Sequence, residues 1–262
     1  MRFDEISKIN VDSIEKKLLK YFSIGGPVTI DENGYVSITG NCKWGPSSFN
    51  KNMTSFPIKF AEVSGIFSVD RTKLSTLAGS PTKVGNLFSI TEAPITSLEG
   101  SPKETKHFSI KRTEITSLEG SPESILSSFS ATENLKLVSL TGCTKIIPGD
   151  FSCYGSSNIT SLIGGPENVG TNYNCGKCSI TSLEGLPKSI GGMFYIDYHK
   201  DLPLLRLMSV KNLQGVKFYP FTSPKFLEIQ QILKKYLGTG PGGALACAAE
   251  LIKAGFRGNA QR

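Results

Sequence analysis

The sequence predicts an α+β repeat protein, a solenoid with short parallel strands on its concave face, an N-terminal helical cap and a C-terminal two-helix cap. Three observations support this fold class. A phrase close to ITSLEGSP recurs through the middle of the chain, an apolar-polar-apolar triplet precedes each copy, and both ends show helical apolar spacing. We divide the 262 residues into a cap at 1–30, a solenoid at 31–223 with an insertion at about 40–52, and a helical region at 224–262.

The repeated phrase sets the period of the solenoid. Close copies begin at residues 74, 95, 115, 159 and 180, and a degenerate copy, LVSLTGCT, begins at 137. The second leucines are spaced by 21, 20, 22, 22 and 21 residues and fall at Leu77, Leu98, Leu118, Leu140, Leu162 and Leu183. A period of this length is typical of repeat proteins in which each repeat forms one turn.

A strand is expected upstream of each phrase. The triplets are Phe67–Val69, Phe88–Ile90, Phe108–Ile110, Phe129–Ala131, Phe151–Cys153, Tyr173–Cys175, Phe194–Ile196 and, as an end to the series, Val216–Phe218. Successive strand residues face opposite sides, so the two apolar residues of each triplet face inward. Glycine and proline in the phrase then turn the chain. One repeat buries too little to be stable alone, so neighbouring repeats must stack.

The ends of the array have the pattern of helices. Residues 4–22 carry apolar side chains at approximate helical spacing, and GYVSITGN at 34–41 reads as a first strand. At the other end, SPKFLEIQQILKKYLG begins with Ser-Pro and stops at glycine, and GGALACAAELIKAGF gives a second helix. Both pairs of features suit caps, because an open terminal repeat would expose its apolar layer.

The strand, the polar position after it and the ITSLEGSP phrase together resemble the short leucine-rich repeats of secreted bacterial effectors. They resemble still more closely the LTSLEG-x-P repeat proteins encoded by tailed bacteriophages, over about residues 53–205, and the chain's tail is similar as well. The resemblance implies a curved leucine-rich-repeat-like solenoid and no settled activity. Effector relatives that are ubiquitin ligases carry a large separate catalytic domain. The segment after the repeats is too short to hold such a domain, so we expect ubiquitin-ligase activity to be absent.

Cys175-Gly-Lys-Cys178 has the spacing of half a zinc site or of a redox pair. Neither a second ligand pair nor a helix directly after a strand accompanies it. In the repeat, Cys175 takes an inward strand position, and Cys178 takes a ladder position shared with Thr72, Ala93, Thr113 and Ser157. We therefore expect buried thiols, with no metal and no cofactor. A zinc site formed by Cys143, Cys153, Cys175 and Cys178 remains the alternative.

Catalytic motifs are missing from the sequence. GTGPGG at 238–243 lacks the Lys-Ser/Thr ending of a phosphate-binding loop and reads as a helix stop followed by a helix start. His107 is expected to face solvent, His199 is the only other histidine, and no pair of carboxylates is placed for acid-base chemistry. We expect that the protein is not an enzyme.

Departures from serine on the strand surface point to a contact surface. Tyr154, Lys177, Tyr195 and Tyr198 form an aromatic, mildly basic group, and Lys111 and Arg112 lie nearer the centre. Aromatic residues and arginine are favoured where protein interfaces concentrate their energy. The alternative is that small residues simply suit a crowded concave side.

The charge of the chain is concentrated at its C-terminal end. Residues 201–262 hold nine basic and three acidic residues, so six of the seven excess positive charges lie there, whereas residues 61–200 are nearly neutral. Lys225, Lys234, Lys235, Lys253 and Arg257 could contact phosphate or an acidic partner. Solvated helix faces explain such lysines more often, and the neutral repeats make nucleic acid an unlikely partner.

The start of the chain lacks a secretory signal, and no run of 18 apolar residues follows, so we expect a cytoplasmic protein without a membrane span. Together these observations predict a non-catalytic, phage-encoded scaffold that binds a host or phage protein in the host cytosol. A virion or assembly component is the alternative. The identity of the partner and the oligomeric state are left open by the sequence.

Overall fold

Each repeat of the sequence forms one turn of a parallel β-solenoid. The computed structural model describes residues 10–44, 52–221 and 223–261, and across them the solenoid has about eight turns with helical elements at its C-terminal end. This confirms the predicted solenoid of parallel strands. Within the described residues, no helix combines the length and the apolar character needed to cross a membrane.

The described residues of the N-terminal part form one helix and four short strands. Helix α1 spans Val11–Tyr21, and it is followed by β1 (Ser23–Ile24), β2 (Val28–Ile30), β3 (Tyr35–Ile38) and β4 (Cys42–Trp44). Residues 4–9 of the predicted cap helix lie outside the described residues. Part of the predicted insertion at 40–52 forms β4, and residues 45–51 also lie outside the described chain.

In the repeats, a turn contributes either two short strands or one longer strand. They are β5 (Lys59–Val63), β6 (Phe67–Asp70), β7 (Lys83–Thr91), β8 (Glu104–Lys111), β9 (Ser124–Ile125), β10 (Phe129–Thr132), β11 (Ile146–Ile147), β12 (Phe151–Ser152), β13 (Asn168–Val169), β14 (Tyr173–Cys175), β15 (Ser189–Ile190), β16 (Met193–Asp197) and β17 (Gly215–Tyr219). A 3-10 segment, Leu204–Ser209, precedes β17. Helices α2 (Pro224–Tyr236) and α3 (Gly240–Lys253) and a second 3-10 segment, Arg257–Ala260, come after it.

The main ladder of the solenoid contains the strands that the triplets predict. Its parallel order is β4-β6-β7-β8-β10-β12-β14-β16-β17, and β1 adds an antiparallel strand at the β4 end. The register pairs each residue with its repeat equivalent, as in Phe88 with Phe108 and Ser89 with Ser109. Phenylalanines are therefore aligned inside the solenoid and serines outside it.

A second, shorter ladder closes the back of each turn. Strands β3, β5, β7, β8 and β9 pair in parallel there, and β11, β13 and β15 continue as a separate three-stranded sheet. Its inward residues include Val84, Ile125, Val169 and Ile190, all buried. Strands β7 and β8 belong to both ladders and are bent where their register shifts between Val84 and Leu87.

An aromatic stack runs along the inside of the main ladder. Neighbouring ring centroids are 4.7 to 5.6 Å apart along Phe67, Phe88, Phe108, Phe129, Phe151, Tyr173 and Phe194. The isoleucines and leucines of the ITSLEG phrases are buried beside it. Burying one such side chain contributes about 1.5 to 3 kcal/mol, so the apolar positions that recur in every repeat stabilise the stack.

The glycine of each phrase lets successive turns approach closely. Gly120 has φ +86°, and a Cβ there would lie 2.6 Å from the backbone nitrogen of Glu99 in the preceding repeat. Gly142 repeats the arrangement, with φ +88° and a would-be Cβ 2.4 Å from the Cα of Glu119. The phrase therefore needs glycine for two reasons, a left-handed backbone and the absence of a side chain.

We expect Gly120→Ala to lower the free energy of unfolding by at least about 3 kcal/mol, because it combines left-handed strain with overpacking against a neighbouring backbone. Gly238→Ala is the control, since Gly238 has φ +77° and no atom within 4 Å of its would-be Cβ. That variant should lose only about 1 kcal/mol. Urea titration of both measures the difference, and equal losses would show that the turns do not pack as tightly as described.

We expect Tyr173→Phe to raise the free energy of unfolding by about 1 kcal/mol, because the buried hydroxyl of Tyr173 has no hydrogen-bond partner among the described residues. Tyr198→Phe is the matched control. The Tyr198 hydroxyl donates to Asn259 Oδ1 at 2.9 Å, so its removal should cost about 1 kcal/mol. A loss of stability in Tyr173→Phe would mean that its hydroxyl is paired in solution.

Candidate functional site on the strand face

The strand face is the outer surface of the main ladder, built from the residues that alternate with its inward side chains. One outward row is Ser68, Ser89, Ser109, Ser130, Ser152, Asn174, Tyr195 and Lys217, and the next is Asp70, Thr91, Lys111, Thr132, Tyr154, Gly176, Asp197 and Tyr219. The first five repeats mostly present small hydroxyl side chains. The character of the face changes from Tyr154 onward.

Four rings form an aromatic cluster at the C-terminal end of the strand face. Tyr154 lies 5.6 Å from Tyr219, Tyr219 lies 4.2 Å from Phe221, and Phe221 lies 6.2 Å from Tyr195, measured between ring centroids. The three tyrosines are half-buried, and Phe221 is 47% exposed. This aromatic cluster is the largest departure from the serine and threonine surface of the other repeats.

The ring of Tyr219 packs against Gly176. Cys175 pairs with Ile196 and Asp197 pairs with Tyr219, so Tyr219 stands two strands away from Gly176 in the same row. Its ring nevertheless reaches Gly176, because a Cβ there would lie 2.0 Å from Tyr219 Cε2. Asn174 supports the ring from the adjacent row, with its Nδ2 3.5 Å from the Tyr219 hydroxyl. A side chain at position 176 would exclude the ring.

Lys177 stands beside the aromatic cluster as an exposed cation. Its ammonium lies 5.5 Å from the centroid of the Tyr154 ring, a cation-π distance. Contact with the Tyr154 side chain raises the pKa of Lys177, so the group is charged at neutral pH. Its backbone has φ +55°, the left-handed conformation also seen at Arg112 and Glu133 in the equivalent positions of earlier repeats.

Asp197 lies in the outward row between Gly176 and Tyr219. Its Oδ2 atom is buried without a hydrogen-bond partner in the described part of the chain. Burial raises the pKa of the Asp197 carboxyl, and hydrogen bonds from the backbone amides of Lys177 and Cys178 oppose that increase. Neighbouring strands are about 4.8 Å apart, so the Tyr219 ring must cross over Asp197 to reach Gly176. This crossing explains the burial of the carboxylate.

Lys111 and Arg112, nearer the centre of the face, are held in ion pairs. Arg112 bridges Glu92 and Glu133 of the two flanking repeats, each at 2.7 Å, and Lys111 contacts Glu133 at 2.9 Å. These contacts lower the pKa of Glu133. Strand β10 separates Lys111 from Tyr154, so the structure does not bring these two cations into the aromatic cluster.

Tyr198 is directed away from the aromatic cluster. Its ring packs on Phe226 at 4.9 Å and Phe218 at 5.7 Å, and its hydroxyl donates to the buried Asn259. Tyr198 therefore joins the last strand to the C-terminal helices. Of the six residues expected on the contact surface, Tyr154, Lys177 and Tyr195 come together, and Lys111, Arg112 and Tyr198 do not join them.

The cysteines are all free and buried. Cys175 faces inward on β14, and Cys178 Sγ lies 3.2 Å from the carbonyl oxygen of Cys153 and 4.0 Å from its sulfur. Contact with the Cys178 thiol, followed by burial, raises the pKa of the Cys153 thiol well above the ordinary value. Burial does the same for the pKa of Cys175, so both are neutral thiols. Within the described ranges, no three His, Cys, Asp or Glu side chains meet as a potential metal site.

A buried polar ladder follows the main ladder on its inner side. Asn134 Oδ1 accepts hydrogen bonds from the backbone and hydroxyl of Thr113, and Asn134 Nδ2 donates to Ile110. Ser156 continues the ladder toward Cys178, since its hydroxyl accepts from the Asn134 backbone amide. The sequence-based assignment of Ser157 to this position was wrong. The ladder residue lies five positions after the first inward residue of its strand, as Thr113 does after Phe108, and in this repeat that residue is the buried Ser156.

The remaining candidates are scattered. His107 is partly buried on β8, and His199 is exposed. Lys225 lies over the Phe256 ring at 5.4 Å, and Lys235 pairs with Glu250 at 2.9 Å. Three further candidates for a phosphate or acidic-partner contact are exposed: Lys234, Lys253 and Arg257.

Three residues of the site were missed by sequence reasoning: Asp197, Tyr219 and Phe221. Tyr219 could have been found, because it continues the row of Tyr154 and Asp197 by one more repeat. Phe221 lies beyond the last strand, and nothing in the repeat pattern places its ring. Comparisons of the chain with protein-family models, with curated proteins and with solved structures give no match.

We expect Asp197→Asn to raise the urea midpoint at about pH 7.5 and to leave it unchanged at about pH 3.5. The folded pKa of Asp197 is above its ordinary value of 3.8, so the folded state binds the proton more tightly than the unfolded state. The carboxyl therefore destabilises the fold as pH rises through the folded pKa, and below the unfolded pKa the penalty vanishes. A pH-independent difference between variant and wild type would contradict the burial described for Asp197.

Proposed function

We propose that the protein is a non-catalytic scaffold that binds a protein partner through the strand face, with the aromatic cluster as the main contact. The aromatic cluster is the observation that supports this proposal. Tyr154, Tyr195 and Phe221 keep part of their ring surface open to solvent, although the solenoid offers serine and threonine at the equivalent positions of other repeats. Rigid aromatic side chains are favoured where interfaces concentrate binding energy.

The repeat type that we propose is the leucine-rich repeat, with the strand face on the concave side. The buried ladder of Thr113, Asn134, Ser156 and Cys178 supports this, since these residues hold the position after each strand where such repeats place a hydrogen-bonding side chain. The resemblance of the ITSLEGSP phrase to repeat proteins of tailed phages supports a phage origin, with a host or phage protein in the host cytosol as the partner.

Packing at both ends supports a capping role for the terminal segments. Phe22, directly after α1, lies 5.6 Å from the Trp44 ring and 5.2 Å from Phe60. At the other end, α2 packs against β17, the last strand of the main ladder. Both contacts cover the apolar layer that a terminal repeat would otherwise expose.

A second candidate function is a role in virion structure or assembly. Helix α3 favours it, because Leu245 is 78% exposed and Ile252 is 49% exposed on its outer side. Exposed apolar residues on one helix face are typical of subunit contacts. In this case α3, and not the strand face, would be the contact.

The test of the proposed function is a comparison of partners recovered by tagged wild-type protein and by the double variant Tyr154→Ser, Tyr195→Ser. We expect at least one protein from phage-infected cells whose recovery falls about tenfold in the double variant, because two aromatic anchors worth a total of at least 1.4 kcal/mol are lost. Quantitative mass spectrometry measures the recovery, and circular dichroism checks the fold.

Tyr35→Ser is the matched control, since Tyr35 is 37% exposed on β3, outside the main ladder. It should leave the recovery unchanged. Equal recovery by the double variant and wild type would exclude the aromatic cluster as the contact. A partner lost instead in Leu245→Ser, or the protein at high copy in purified particles, would favour the assembly role.

A further inference from the structure

The charges of the strand face are distributed unevenly. From Asp70 to Glu133 the charged residues of this face pair with one another, as in Arg71 with Asp70 at 2.9 Å and Arg112 with Glu92 and Glu133. The pairs neutralise that part of the face and occupy their own hydrogen-bonding groups. A partner would therefore meet little net charge there.

Two lysines flank the aromatic cluster, and neither forms a salt bridge within the described residues. Lys177 lies beside Tyr154 at one side. Lys217 is exposed on β17 and pairs in register with Tyr195, so it stands about one strand spacing, roughly 4.8 Å, from the other side of the cluster. The aromatic cluster thus lies between two lysines, and the charge of Asp197 acts on Lys177 from beyond salt-bridge distance.

Asp197 is the carboxylate that lies in the same outward row as Gly176 and Tyr219, and it is half-buried. The Oδ2 atom of Asp197 is buried, and the Tyr219 ring reaches past Asp197 to Gly176. This oxygen is therefore shielded from a partner that lies on the rings. The outward surface at this end of the strand face is aromatic and positively charged.

We propose that the partner segment that occupies the aromatic cluster is acidic, with an apolar side chain that packs on the rings and carboxylates that reach Lys177 and Lys217. This inference rests on the proposed function and adds the chemistry of the partner to it. Complementary charge at the rim of an interface raises the association rate and selects against partners of like charge. A basic segment would meet Lys177 and Lys217, whereas the Oδ2 atom of the neighbouring carboxylate, Asp197, is buried.

A random-peptide display library selected on the purified protein tests the inference. Two selections are run, on wild type and on Tyr154→Ser, Tyr195→Ser, and peptides enriched only on wild type are sequenced. We expect this pool to be enriched in Asp and Glu relative to the unselected library. Its binding, measured by fluorescence anisotropy on synthetic peptides, should weaken clearly between low and high salt.

Charge-reversal variants then locate the effect. Lys217→Glu should weaken binding of the selected peptides about tenfold. Lys43→Glu is the control, because Lys43 is exposed in the same outward row at the opposite end of the main ladder and carries the same change in net charge. It should change the affinity less than about twofold, since the two ends are farther apart than a Debye length of about 8 to 10 Å.

The outcomes separate the two proposals. A cluster-dependent pool that is neutral or rich in Lys and Arg, or equal effects of Lys217→Glu and Lys43→Glu, would overturn the acidic partner and leave the strand face as the binding surface. Identical pools on wild type and on the double tyrosine variant would overturn the binding role of the aromatic cluster itself, and the acidic partner with it.

Discussion

The register between successive turns is the constraint on which the rest of the structure depends. Phe88 lies beside Phe108 and Ser89 beside Ser109, so one alignment places aromatic rings inside and hydroxyls outside. Polar contacts agree with it: Asn134 bonds to Thr113 one turn back, and Lys83 pairs with Glu104 one turn ahead. A shift by one residue would turn every inward side chain outward, so apolar, polar and ionic contacts specify the same pairing.

The candidate site lies where the outward residues differ from those of the other repeats. The core positions are kept through all turns because each must stack on its neighbours. The outward positions carry no such requirement, and from Tyr154 onward they change from small hydroxyls to rings. The absence of a side chain at Gly176 contributes to the site, because it leaves room for the ring of Tyr219, which lies two strands away. The paired strands supply a regular base, and a few exceptional residues supply the chemistry.

Much of the main ladder could be predicted from the sequence, because the period of about 21 residues aligns the triplets from Phe67 to Phe218 directly. The polar ladder was predictable in kind. The assignment of Ser157 was one residue too far along the chain, since Ser156 follows Phe151 at the same spacing as Thr113 follows Phe108. The ion pairs of Arg112 could not be read from neighbouring residues, since its partners Glu92 and Glu133 lie 20 and 21 positions away. The position of Phe221 depends on the path of the chain after β17, which no repeat determines.

In a solenoid each repeat ordinarily contacts only its immediate neighbours, so the array behaves as a chain of nearest-neighbour terms. Tyr219 breaks that rule, because its ring passes over the β16 turn to rest on Gly176 and contact Tyr154. The last turn is thereby coupled to turns that it does not border. Fraying of the C-terminal end would remove part of the aromatic surface while the strands beneath Tyr154 stay folded. The aromatic surface therefore depends more strongly on the integrity of that end than the fold of the solenoid does.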